Sequence, residues 1–258
     1  MVELRAIYIL WLREVKKFLR AKERIIGSVA MPVMFMMFFG FGFSHTSIPG
    51  IDGKINYIDF LVPGMIGMNM LFSSMFAGIS VLWDKEFGFL KEIMVAPVSR
   101  VSIALGRIAG GATTGLVQGL LLFIISFFFG FRLQPGVNII VAVVMMIIFM
   151  TLIAFSFLSL GLSFATNMRD AQGFELIINF VMFPLFFLSG AVSPISNLPI
   201  WLRALSYANP LTYGVDGLRS VLVGASMFSL FFDLIVCSFS AIAMVSLAAF
   251  FFERSESI

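Results

Sequence analysis

Cysteine and histidine each occur once, as Cys237 and His45, and only 12% of the 258 residues are charged. A single thiol excludes an intrachain disulfide. One thiol and one imidazole do not make a zinc site. Without a second histidine or a buried carboxylate pair, no nucleophile, base and orienting group can be assembled, so the chain is not expected to be an enzyme. There is no Gly-x4-Gly-Lys-Ser/Thr loop to cradle ATP phosphates. Neither a cofactor nor a metal is expected on this chain, and nothing suggests a nucleic-acid partner.

Apolar side chains fill the space. Hydrophobic residues make up 60% of the chain, with 32 phenylalanines and 17 methionines, against about 45–50% in soluble domains. The expected class is an all-α membrane protein forming one compact bundle. Apolar runs at 25–43, 58–83, 101–131, 137–165, 174–192 and 228–251 suit six helical spans, each needing about 20 residues. The third and fourth are long enough to tilt or overhang. Arg132, Pro135 and Gly136 mark a tight turn between them. The division expected is an amphipathic helix over 1–24 and a single six-span domain over 25–258.

The first segment carries Leu4, Ile7, Tyr8, Trp11, Val15, Phe18 and Leu19 at helical spacing, with Arg5, Arg13, Lys16, Lys17 and Arg20 on the other side. A basic amphipathic helix of this kind lies in the membrane interface. The apolar run behind it exceeds the roughly 7–15 residues of a signal-peptide core, so a retained anchor is expected. Lys and Arg number thirteen on the side of the termini and four on the other. That asymmetry predicts both termini in the cytoplasm of a multi-pass protein of the cell membrane.

Ion-driven carriage needs ionisable groups near the midplane. Glu175, Asp233 and Arg107 lie toward span ends, and Arg107 is expected to snorkel to the surface. Asn69, Gln118 and Asn179 lie deeper and suit interhelical hydrogen bonds. GRIAGGATTG (106–115) reads as close helix packing. The chain thus has the bulk of a transporter without an energy source of its own.

Two segments break the oily pattern. WDKEFGFLKEIMVAPVSR (83–100) holds six charged residues. Phe87, Leu90 and Met94 fall on one helical face, Pro97 ends the helix, and Ser99 or Ser102 can cap the next span. Such a helix could dock in a groove on a cytoplasmic partner. Residues 193–227 are too long for a turn and too polar to span. They suit two short helices bent at Asn209-Pro210, with Asn197 capping the first near Pro199 and an Asp216–Arg219 pair on the polar side of the second.

EFGFLKEIMVAPVSR (86–100) and SGAVSPISNLPIWLRALSYANPLTYGVDGLR (189–219) resemble the integral-membrane type-2 permease family of ABC transporters. The likeness is greatest to the branch of daunorubicin-resistance-like drug exporters and polysaccharide or nodulation-factor exporters, and it covers nearly the whole chain. It implies six spans, an N-terminal interfacial helix, a cytoplasmic coupling helix after span two, and short outer re-entrant helices before span six. It also implies a dimer, homomeric or with a related permease, embedded in membrane lipids and recruiting separate ABC ATPase subunits that bind ATP and Mg. On that frame Glu86, Phe87, Leu90, Lys91, Glu92, Met94, Pro97 and Arg100, with Arg169 and Asp170, would contact the ATPase. Pro194, Pro199, Trp201, Asn209, Pro210, Tyr213, Asp216 and Arg219 would shape the outer exit. The function implied is outward movement of a drug-like, lipid-like or glycan substrate. The alternative is a membrane anchor or assembly factor that docks an ATPase and moves nothing.

Overall fold

The structure is a computed structural model that describes residues 3–43, 55–86, 99–168 and 170–254, and of Arg24, Lys85 and Glu86 the backbone alone. Ten α-helices lie among the described residues, and no strand. They are α1 (Leu4–Arg20), α2 (Lys22–Gly42), α3 (Tyr57–Ala77), α4 (Ile79–Glu86), α5 (Arg100–Ser126), α6 (Ile139–Asn167), α7 (Ala171–Leu188), α8 (Ile200–Ala208), α9 (Pro210–Val223) and α10 (Leu230–Arg254). Six segments are long and apolar enough to cross a bilayer: α2, α3 with α4, α5, α6, α7 and α10. They coincide with the six expected runs to within a few residues. The second runs Tyr57–Asp84, within one residue of the expected bounds, and is broken at Gly78. α6 has 29 residues, about 43 Å at 1.5 Å each, and overhangs a core about 30 Å thick.

Local chemistry explains the helix ends. Ser99 caps α5 and accepts from the Ser102 N–H at 3.2 Å, as expected from the sequence. Asn138 caps α6 and Asp170 caps α7, each accepting one otherwise unpaired backbone N–H. The turn between α5 and α6 closes through Gly136, at φ +86°, and the Arg132 N–H donates to Asp59 at 2.8 Å.

Lipid offers helices no hydrophobic reason to associate, so close backbone packing must hold the bundle together. Glycines provide it. In the 106–115 stretch, Gly106 and Gly110 face Leu10 and Glu14 of α1, Gly111 faces Leu158 of α6, and Gly115 faces Met70 of α3. Close packing, the expectation for that stretch, is what it does. The outer surface carries Phe38, Phe128, Phe180, Phe231, Phe239 and Ile242, side chains that lipid tails solvate at no cost.

A close backbone crossing joins α3, the Gly78 break and α6. A Cβ on Gly161 would lie 2.6 Å from the Met75 carbonyl oxygen, and one on Gly78 would lie 2.7 Å from the Gly161 carbonyl oxygen. Both obstacles are backbone and cannot rotate away. Gly161→Ala should therefore destabilise the purified chain by about 1–3 kcal/mol, read as a lower melting temperature in detergent. Gly42→Ala, with nothing within 4 Å of the added carbon, should change it little. Equal melting of the two variants would contradict this crossing.

Candidate functional site

The two ends of the bundle differ in chemistry. At the basic end α1 runs parallel to α5. The Glu3 N–H donates to Ser102 Oγ at 2.8 Å, and Trp11 Nε1–H donates to Thr113 Oγ1 at 2.9 Å. The apolar stripe of α1 is divided. Phe18 is buried, whereas Leu4, Tyr8 and Leu19 are exposed.

Between these helices sits a cluster that sequence reasoning missed. Asp84, near the end of α4, accepts from Arg107 Nη2 of α5 at 2.5 Å and from Arg13 Nη2 of α1 at 3.1 Å. Asp84 and Arg107 are 6% and 4% exposed. Arg107 does not snorkel, contrary to expectation, because a carboxylate reaches it from the neighbouring helix. Its Nε and Nη1 have no hydrogen-bond partner among the described residues. Removing charge from water costs several kcal/mol per ion, so such a cluster persists only when its geometry is good. The cluster ties three elements together at the point where α4 leads into the charged segment.

Of the residues assigned to ATPase contact, Phe87, Leu90, Lys91, Glu92, Met94, Pro97 and Arg169 lie outside the described residues. Glu86 ends α4. Arg100 opens α5 and donates from Nη1 to the Glu253 carbonyl at 3.1 Å, joining α5 to the end of α10. Asp170 accepts from the Gly173 N–H at 2.6 Å.

Of the residues assigned to the exit, Asn209, Tyr213, Asp216 and Arg219 are buried together at the opposite end, whereas Pro199 and Trp201 are exposed. Pro194 precedes a 3-10 turn over Ile195–Asn197, and Pro199 precedes α8. Asn197 ends that turn and is not the cap expected of it, because α8 begins at Ile200 and Pro199 takes the cap position. α8 exposes Ile200, Trp201 and Leu205. Asn209 accepts from the Leu211 N–H at 3.0 Å and donates to the Leu185 carbonyl at 2.7 Å, with Pro210 in the first turn of α9. The Tyr213 hydroxyl donates to the Tyr207 carbonyl at 2.8 Å, locking α9 against α8.

α9 lies inside the bundle. A Cβ on Gly214 would meet Ile153, one on Gly217 would overlap the Phe149 ring, and one on Gly67 would meet Val215. Asp216 and Arg219 are buried, and no ion pair joins them, which corrects the expected i, i+3 pair on a polar side. Asp216 accepts instead from the N–H groups of Met227 and Phe228, at 2.9 and 2.8 Å. Arg219 donates to the Gly190 carbonyl at 2.9 Å and stacks 3.8 Å from the centre of the Phe60 ring. Gly190 has φ +76°, a left-handed conformation that glycine adopts without steric cost. Burial raises the Asp216 pKa, and the two N–H donors and Arg219 oppose that rise. Burial lowers Arg219 to about 10, which leaves it cationic at neutral pH. A cavity of about 790 Å³ opens beside them, lined by Gln134, Thr212, Asp216 and Arg219 among others.

A family model described as ABC-2 type transporter matches residues 5–223. The chain is 29% identical over 227 residues to ycf38 of Cyanophora paradoxa, covering 83% of this chain and 76% of that protein. It is 28% identical over 218 residues to the inner membrane transport permease YadH of Escherichia coli (strain K12), covering 83% and 82%. It is 26% identical over 201 residues to nodulation protein J of Sinorhizobium fredii, covering 77% and 74%.

Proposed function

The chain belongs to the ABC-2 type transporter family, and from that premise we propose that it is the permease subunit of an exporter driven by a separate ABC ATPase. It is a multi-pass membrane protein with the six crossing segments described above. In this reading two copies, or one copy and a related permease, form the path. The segment after α4 docks in the ATPase. ATP binding draws the ATPase subunits together, and their movement reaches the spans through α4. The observation that best supports this route is the Arg13–Asp84–Arg107 cluster, two residues before the docking segment begins. It makes α4 a lever held to α1 and α5 instead of a free helix end. α8 and α9 would be the outer re-entrant pair, with the knot at Asn209, Tyr213, Asp216 and Arg219 setting the shape of the exit. The cargo is drug-like, lipid-like or glycan in class.

Orientation is tested by labelling. In a Cys237→Ala background, Ser196→Cys should react with an impermeant thiol reagent added outside intact cells, and so should Ser47→Cys, which lies outside the described residues. Ser99→Cys should react only after permeabilisation. The reverse pattern would put the docking segment on the wrong side and end the proposal. Vesicles carrying the chain with its ATPase should show ATP-dependent solute flux. ATPase binding without flux for drug, lipid or glycan probes would favour the anchor or assembly role.

A further inference from the structure

A second cavity, of about 400 Å³ and partly open to the outside, is lined by α1, α2, α3, the start of α4 and α5 of a single chain. Its walls are oily, with Phe18, Met31, Phe72 and Phe76. Its rim carries one charge of each sign, Glu14 and Lys17. Its interior holds two carboxamides, Asn69 and Gln118, only 2% and 4% exposed.

Hydrogen bonding in the wall is lopsided. The hydroxyls of Ser28, Ser73 and Thr114 donate to carbonyls of their own helices, at 2.8 to 3.4 Å, and Ser80 at the start of α4 donates to the Ala77 carbonyl at the end of α3, at 2.8 Å. Asn69 Nδ2 donates to the Ser28 carbonyl at 3.0 Å. That leaves Asn69 Oδ1 and Gln118 Oε1, two buried acceptors with no donor among the described residues. Each such orphan costs about 1–3 kcal/mol. Water can serve the polar part of the lining, but it leaves the Phe and Met walls without a partner, since each ordered water needs about 2–4 polar neighbours. An ion fits no better, since Glu14 and Lys17 balance.

We propose that this cavity binds one amphiphile with an uncharged or zwitterionic head, whose hydroxyl or N–H donors reach Asn69 and Gln118 while its chain lies against the Phe and Met walls. The volume is within the range of small-molecule sites, about 300–1,000 Å³. The site is complete within one chain and stands apart from the exit knot and the docking segment. It is independent of whether the chain exports anything.

The test uses the whole chain in lauryldimethylamine oxide, a detergent with no donor. Binding of 1-palmitoylglycerol is compared with that of methyl palmitate, which has a similar chain and no donor. One palmitoylglycerol per chain is expected by native mass spectrometry, with methyl palmitate at least about tenfold weaker. Gln118→Leu removes an acceptor that no group among the described residues uses. It should weaken palmitoylglycerol about tenfold while melting at or above the wild-type temperature. Thr114→Phe should abolish binding by filling the space. Equal affinity for the two amphiphiles, or unchanged binding in both variants, would overturn the site. Two further arms separate the sources of this chemistry. A lipid that copurifies and is lost in Thr114→Phe identifies a resident membrane lipid. Slowing of export by palmitoylglycerol in wild type but not in Gln118→Leu identifies cargo. Failure of both arms, with no probe bound, again overturns it.

Discussion

Asp84→Leu is expected to cost the purified chain about 3–5 kcal/mol, seen as a steep fall in melting temperature. The loss comes from what remains. Arg107 is 4% exposed, and without Asp84 its guanidinium is a buried cation with no counter-charge among the described residues. Replacing both partners tests that account. Asp84→Leu with Arg107→Met removes both charges, fills similar volume and should recover most of the stability. Arg13→Ala should cost only about 0–1 kcal/mol, because the Arg13 side chain is 38% exposed and water screens it. The double variant also separates stability from function. An apolar contact holds α4 without fixing its orientation, so this variant should fold and bind ATPase, yet show ATP hydrolysis poorly coupled to flux. If the double variant melts as low as Asp84→Leu alone, the buried charge on Arg107 is not the cause. If it transports normally, the cluster is a stability element and not part of the lever.

Leu90→Asp is expected to reduce ATPase capture and transport to background. Leu90 lies outside the described residues. The expectation rests on Phe87, Leu90 and Met94 sharing a face and on family membership. A carboxylate forced into an apolar groove without a partner costs several kcal/mol, on the order of 3 or more, which is at least a hundredfold in affinity. Residue 90 lies outside the apolar run 58–83 expected to span the membrane, so insertion and melting should be unaffected. Lys85→Ala should lose little, since position 85 falls off the helical face shared by Phe87, Leu90 and Met94 in the sequence. Capture measured by pull-down, with flux in vesicles, decides the matter. If Leu90→Asp retains both while Lys85→Ala loses both, the contact is a charged surface and the apolar face is not in it.

How legible these features were depended on how local their causes are. The Ser99 cap could be read because it accepts from an N–H three residues away. The proline bend at Asn209-Pro210 was similarly plain. Asn197 misled because it ends a 3-10 turn whose Ile195 packs against Gly190, and α8 starts only behind Pro199. Asp216 and Arg219 misled for a related reason. Their spacing allows a pair on an exposed helix, but α9 is buried. There, the unpaired N–H groups of Met227 and Phe228 and the carbonyls of Gly190 and Phe60 compete for them.

By itself the sequence determined that this is a membrane bundle of six spans, with a basic amphipathic start and no catalytic machinery in view. Those conclusions follow from run length, composition and charge count, quantities that a bilayer about 30 Å thick constrains one segment at a time. Only the tertiary structure decided which polar groups meet. Asp84 and Arg107 are 23 residues apart on different helices, and their pairing leaves no period in the sequence. Asn69 and Gln118 are on helices that approach at Gly115 and Gly119, both beside Met70, and it is that approach which puts both carboxamides in the wall of one cavity. In a low-dielectric interior a polar side chain takes its meaning from its nearest partner, and partners are chosen by helix packing.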